Sequence, residues 1–249
     1  MKTFWNTNHC LKSIDEWEPN CWVQITCPTE EDQDFLQDHF KIPDYFISDI
    51  SDTDERARYE YDDGWMLIIL RIPYVKEIRS RTPYTTVPLG IIHKGNITIT
   101  VCYYETNMMI DFVSFHQKRN EGFTDSVDMI FRIFLSSAVW YLKRLKQING
   151  LIEKAKRNLD RGVNNESLIG LSRLQDSLTY FITSIRGNEN LLAKLKFKLQ
   201  VDEVDADLIE DVNIEMRQAS ETASIYSNIL DSMMDTYANV INNNMSGVM

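Results

Sequence analysis

The sequence predicts an α+β fold. Residues 1–123 read as an N-terminal α/β domain, a mixed sheet covered by helices, and residues 124–249 as long antiparallel helices. Three observations predict this. Short runs rich in β-branched and aromatic residues, bounded by turn residues, alternate with short amphipathic stretches in the first half. From 125 onward apolar residues recur at helical spacing with one clear break. The last segment, 202–249, contains no proline and is still periodic where the sequence stops.

The elements follow in order. Residues 21–26, Cys-Trp-Val-Gln-Ile-Thr, read as a strand. Thr29 is placed to cap a helix through Phe40, with Glu30, Glu31 and Asp32 in its first turn, where carboxylates face the positive end of the helix dipole. A second short helix starts at Pro43, whose fixed φ suits a first turn, and carries Tyr45, Phe46, Ile47 and Ile50 inward. Residues 58–61 run through the turn Asp62-Asp63-Gly64 into a strand over 65–72. Strands at 87–93 and 97–103 are joined by a hairpin at Lys94-Gly95-Asn96. Interleaved strands and helices imply a sheet covered by helices.

The second half is helical throughout. Over 125–160, Val127, Ile130, Phe131, Phe134, Leu135, Ala138, Val139, Leu142, Leu145 and Ile148 form one wide apolar stripe. Gly162 to Asn165 break the helix, and a second runs over 166–200 with Leu168, Leu171, Leu174, Leu178, Phe181 and Ile182 on one face. Short connections between long helices make antiparallel neighbours. Helices of about 50 Å, at about 1.5 Å per residue, imply an elongated or oligomeric molecule.

Charge is concentrated at the end. Of a net −11, the segment 202–249 carries ten acidic residues against one basic, Arg217, leaving 27 acidic and 25 basic residues elsewhere. That asymmetry argues against nucleic acid as a partner and for cations or basic surfaces. Cys10, Cys21, Cys27 and Cys102, with His9, His39, His93 and His116, are too scattered for a zinc site and read as idle thiols of a reducing compartment. No signal peptide is expected, so the sequons at Asn96 and Asn165 carry no meaning. No run approaches the roughly 20 apolar residues of a membrane span, so the chain as given reads as soluble.

Phosphate loops, nucleophile elbows and HExxH are absent, and nine glycines are too few to favour a glycine-rich nucleotide cradle. Carboxylates remain. Hard cations such as Mg²⁺ take oxygen ligands and keep several waters, so one or two carboxylates suffice. Asp207, Asp211, Glu221 and Asp235 lie on or near a polar stripe of the last helix, opposite Val212, Ile214, Ala219, Ala223, Ile229, Met233 and Tyr237. The stripe reads either as a solvated face or as an ion site. Beyond Asp235, residues 236–249 are uncharged and offer Asn239, Asn242, Asn243, Asn244 and Ser246 with Met245 and Met249. Small amides and hydroxyls around an axis suit a hydrated ion pathway, and they equally suit a frayed helix end. An acidic helix that turns uncharged while still periodic points towards a membrane.

These residues resemble the CorA-type magnesium transporters along nearly the whole chain. Phe40-Lys41-Ile42-Pro43 followed by Ile47-Ser48-Asp49-Ile50 is similar to one family segment, and Arg56 to Tyr61 with the strand from Trp65 is similar to another. Asp211-Val212, Asp235-Thr236-Tyr237 and Val248-Met249 fall at the family's spacing along its pore-leading helix. The resemblance implies a cytosolic α/β domain and a stalk helix over 202–249 that leads into the first membrane span of a funnel-like homopentamer. It implies that Asp49 and Asp211 of neighbouring subunits hold Mg²⁺, or another divalent cation such as Co²⁺, and keep the funnel closed. Asp235 matches an acidic position near the pore mouth, Met249 a hydrophobic gate, and Ser246 stands where relatives often carry Asn. The resemblance implies that the family's Gly-Met-Asn signature and both spans would fall beyond Met249. A lysine-rich stretch, Lys194, Lys196 and Lys198, replaces a region acidic in many relatives.

The expectation is therefore a non-enzymatic, Mg²⁺-sensing and gating domain at the cytoplasmic face of the cell membrane. Its partners are copies of itself, divalent cations and the membrane, without nucleic acid. The rival reading is a soluble acidic helical adaptor docking a basic partner. A carboxylate-dependent hydrolase ranks below both, since residues 202–235 supply Arg217 as their one basic group.

Overall fold

The computed structural model describes residues 1–77, 80–162, 164–199 and 206–246. Among the described residues seven strands occur: β1 (Lys2–Asn6), β2 (Lys12–Ile14), β3 (Trp22–Thr26), β4 (Arg58–Asp62), β5 (Trp65–Val75), β6 (Tyr84–Lys94) and β7 (Ile97–Cys102). Six helices accompany them: α1 (Glu30–Phe40), α2 (Asp44–Ser51), α3 (Asn107–Arg119), α4 (Ser126–Arg161), α5 (Asn165–Lys198) and α6 (Ala206–Ser246). One sheet has the order β2-β1-β3-β7-β6-β5-β4, and every pairing is antiparallel except β3 with β7. The mixed sheet is thus as expected.

Three layers result from the period of two along the strands. On β5, Trp65, Leu67 and Ile69 face a core shared with Leu36 and Phe40 of α1 and Phe46, Ile47 and Ile50 of α2. Met66, Ile68, Leu70 and Ile72 face the other core, shared with α3, α4, α5 and α6. Because both faces are covered, β5 is buried from Trp65 to Pro73 and, Arg71 apart, reads as an apolar run instead of an alternating one.

Local chemistry fixes the helix starts. Thr29 caps α1 in a reciprocal box with Asp32. Asp125 caps α4 by accepting from the amides of Val127 and Asp128, and Asn164 caps α5 by accepting from Ser167. Gly95 at φ 60° makes the two-residue turn in which Lys94 pairs with Ile97.

Several expectations need correction. Strands β1 and β2 and helix α3 carry no expected counterpart, and β5 and β6 run on to Val75 and back to Tyr84. Tyr45 does not point inward: it is partly exposed, its hydroxyl on the carboxylates of Glu60 and Asp62. On α6 the covered residues are Ile209, Val212, Met216, Ala219, Ala223, Leu230 and Tyr237, whereas Ile214 and Ile229 lie on its open face. Residues 202–205, with which the stalk helix was expected to begin, and 247–249 lie outside the described residues. Among the described residues no helix is long and apolar enough to cross a membrane.

Candidate functional site

Asp49 sits in the last turn of α2, and its position is set by how closely α2 approaches the sheet. Ile50, its neighbour, packs over Gly90 of β6, where an added Cβ would lie 2.2 Å from Ile50 Cδ1. Glycine is what lets α2 lie this low on the sheet. The 52–57 segment then brings the chain back into β4, whose residues Arg58, Glu60 and Asp62 share one face by the period of two.

Here four carboxylates gather around one arginine and one phenol. Arg58 Nη2 donates to Asp49 Oδ2 at 2.6 Å, Nε to Glu55 Oε1 at 3.0 Å, and Nη1 to Glu60 Oε2. The Tyr45 hydroxyl lies 3.3 Å from Glu60 Oε1 and 3.0 Å from Asp62 Oδ2. Desolvation pushes the Tyr45 phenol up to about 12, and the Asp62 hydrogen bond and the nearby charges of Glu60 and Asp62 add to it. Burial alone lowers the Arg58 guanidinium, but the hydrogen bonds and charges of Glu55 and Glu60 override it and hold it above its usual range. The Asp49 side chain is 26% exposed, and its second oxygen, Oδ1, accepts no hydrogen bond among the described residues. One carboxylate oxygen is therefore held and the other faces solvent.

Asp211 lies on the open face of α6, and among the described residues its carboxylate makes no ion pair. The structure does not join it to Asp49 within one chain, because α2 packs on one face of the sheet and α6 packs on α4 and α5, which cover the other face. Among the described residues no cluster of three or more His, Cys, Asp or Glu is placed to hold a metal ion.

Asp235 is exposed further along α6. At about 1.5 Å per residue it stands roughly 36 Å from Asp211 along the axis, so the two belong to different places. Asn242 is exposed near the end of the same helix, Ser246 is its last residue, and Met249 lies outside the described residues. The open face of α6 mixes Asp207, Asp211 and Glu221 with exposed Ile214, Ile225, Ile229 and Val240.

Sequence reasoning singled out Asp49 but missed the arginine that holds it. The signal was the alternation Arg58, Glu60, Asp62, which puts three charges on one face of a strand.

A family model described as "CorA-like Mg2+ transporter protein" matches residues 17–249. The chain belongs to this family. It is 24% identical over 244 residues to the cobalt/magnesium transport protein CorA of Methanocaldococcus jannaschii, covering 92% of this chain and 72% of the relative. The complete structure of the CorA magnesium transporter from that organism shares the fold, with a TM-score of 0.88 at 22% identity, covering all of this chain and 80% of that one. The soluble domain of the same CorA superposes with a TM-score of 0.81 at 22% identity, over 94% of this chain and 95% of that one. The mixed sheet with long helices is therefore the arrangement of a CorA soluble domain.

Proposed function

We propose that this chain is the ion-sensing and gating domain of a CorA-like divalent-cation transporter. In this reading residues 1–123 form the unit that carries Asp49, and residues 124–249 the helices that carry Asp211 and lead to the pore. Mg²⁺ or Co²⁺ is the cargo and also the sensed ion. It bridges Asp49 of one protomer and Asp211 of the next in a homopentamer at the cytoplasmic face of the membrane.

The placement of the two carboxylates carries the reading. Each has an oxygen facing solvent, and they sit on opposite sides of the sheet, α2 on one face and α6 beyond α4 and α5 on the other, so an ion that uses both needs two protomers. The open face of α6 supports the assembly. Its exposed isoleucines, spaced along an acidic helix, suit a neighbouring copy, with the carboxylates left to be neutralised by the ion.

Gating then follows from linkage. An ion that binds one state of the assembly stabilises that state by mass action. With the ion bound, the acidic α6 helices are held to their neighbours and the pore, with Asp235 and Asn242 at its mouth and Ser246 and Met249 towards the gate, is closed. When the ion leaves, the carboxylates repel and the protomers loosen. The test is protease protection of the native-length protein against Mg²⁺ at constant ionic strength. The reading requires protection that rises with Mg²⁺ and is lost in Asp49→Asn/Asp211→Asn. Unchanged protection in the double variant removes the bridge, and protection that depends on ionic strength alone points to the adaptor reading.

A further inference from the structure

The fully committed fork of Arg58 is a feature the bridging reading leaves without a role. Each of its three nitrogens contacts a different carboxylate: Nη2 that of Asp49 at 2.6 Å, Nε that of Glu55 at 3.0 Å, and Nη1 that of Glu60. Two of these carboxylates, Glu55 and Glu60, lie in or beside the strand that carries Arg58, and the third comes from a different element, α2.

We propose that Arg58 is a tethered cation that competes with the divalent ion for Asp49 and so sets the ion concentration at which the sensor responds. The proposal rests on the reading that Asp49 is an ion ligand. A divalent ion at Asp49 Oδ1 would lie within a few ångströms of a guanidinium bound to Oδ2 of the same carboxylate. Like charges at that distance repel by more than the thermal energy even in high dielectric. Ion binding therefore displaces Arg58 from Asp49. Glu55 and Glu60 give the displaced guanidinium a place to go: the planar fork turns off Asp49 as one rigid unit, and both carboxylates are already its partners. The arginine thus has two positions: on Asp49 when the ion is absent, and on the Glu55–Glu60 pair when it is present.

This arrangement explains why three carboxylates surround one arginine when a pair would satisfy its charge. It also makes the cluster a threshold device. Without a competing cation, Asp49 would respond to divalent ions at a lower concentration. The internal guanidinium raises that threshold, and its concentration at the site is fixed by the fold.

The experiment is a Mg²⁺ titration of protease protection in the native-length protein at constant ionic strength. Arg58→Gln keeps hydrogen-bonding capacity and removes the charge. It lowers the Mg²⁺ midpoint by about tenfold, the equivalent of about 1.4 kcal/mol. Arg58→Lys keeps the charge and holds the midpoint within about threefold of the parent, well short of that value. A midpoint for Arg58→Gln that is unchanged or raised overturns the proposal, because an arginine that only orients Asp49 weakens binding when removed. A shift in Arg58→Lys as large as in Arg58→Gln also overturns it, since geometry and not charge would then be responsible. If Arg58→Gln does not fold, Glu60→Gln decides. Losing that charge leaves the guanidinium more firmly on Asp49, so the midpoint rises, and an unchanged or lowered midpoint overturns the proposal. Asp49→Asn separates this idea from the reading beneath it. If Asp49→Asn leaves the midpoint unmoved, the ion does not use Asp49 and the bridge itself is wrong. If Asp49→Asn raises the midpoint while Arg58→Gln fails to lower it, the bridge stands and the competition falls.

Discussion

Asn188 of α5 satisfies both backbone groups of Arg71 in β5. Its Oδ1 accepts the Arg71 N–H at 3.0 Å and its Nδ2 donates to the Arg71 carbonyl at 2.7 Å. The reason lies in the sheet. β4 begins at Arg58, opposite Ile69, so beyond Ile69 the outer edge of β5 has no strand beside it. A fully buried carboxamide takes the place of the missing strand, and the Tyr141 hydroxyl adds a second donor to the Arg71 carbonyl at 2.9 Å. Asn188→Leu keeps the volume and orphans the amide, because a buried donor without a partner is costly. We expect a loss of about 2–3 kcal/mol in urea denaturation, with the m-value unchanged.

Gly90 couples packing to the site. Gly90→Ala pushes Ile50 and α2 off the sheet, at a cost of about 1–3 kcal/mol. Because Asp49 is the residue before Ile50, the same variant moves the carboxylate. We expect both a lower melting temperature and a weaker Mg²⁺ response, each partly restored by Ile50→Val. Restored stability without restored Mg²⁺ response would separate α2 packing from Asp49 placement.

His116 gives the domain a pH dependence of predictable sign. It is buried on α3 among Phe112, Phe115 and Phe123, and among the described residues its Nδ1 has no hydrogen-bond partner. Burial, aided by the charge of Arg132, lowers its pKa from 6.5 to about 4, with Glu121 and Asp128 opposing and Arg119 adding to the shift. The folded value is below the unfolded one, so the unfolded chain binds the proton first. The contribution is complete above pH 6.5 and is lost as the pH falls from 6.5 towards 4. His116→Phe keeps the aromatic packing and removes the proton. Between pH 7 and 4.5 the variant should lose less stability than the parent, by on the order of 2 kcal/mol. Parallel curves for the two proteins would contradict the assignment.

Much of the fold was legible because it rests on local rules. The cap at Thr29, the turn at Gly95 and the apolar stripe of α4 each need only a few neighbouring residues to be read. β1 and β2 were missed because Phe4 and Trp5 stand among polar residues, and their strand character comes from pairing with Trp22 and Val23 and not from their own pattern. Helix α3 was missed because Met108, Met109, Phe112 and His116 make a narrow stripe, which long-range contact with α4 and Phe123 completes. For the site, Asp49 and Asp211 came from family resemblance. The alternation Arg58, Glu60, Asp62 marks a charged strand face, but that this face meets Asp49 came from the fold, because no sequence pattern says that α2 ends beside β4. The exposed isoleucines of α6 were placed on the wrong face because a 41-residue helix packed against two others has its buried stripe set by those partners and not by composition.

The open face of α6 predicts self-association through that helix. Ile225, 55% exposed, can become Lys with little effect on folding of the single chain, within about 0.5 kcal/mol. In the native-length protein Ile225→Lys should shift the assembly towards smaller species in analytical ultracentrifugation. An unchanged assembly would place the contact on another surface.

The central claim is an ion shared between protomers, and anomalous diffraction with Mn²⁺ as the stand-in for Mg²⁺ tests it most directly. Crystals of the native-length protein grown with Mn²⁺ should show a peak between Asp49 of one protomer and Asp211 of its neighbour, with Arg58 turned off Asp49 towards Glu55 and Glu60. A map with Mn²⁺ bound elsewhere, or with the two carboxylates too far apart for a hydrated ion to span, would contradict the account.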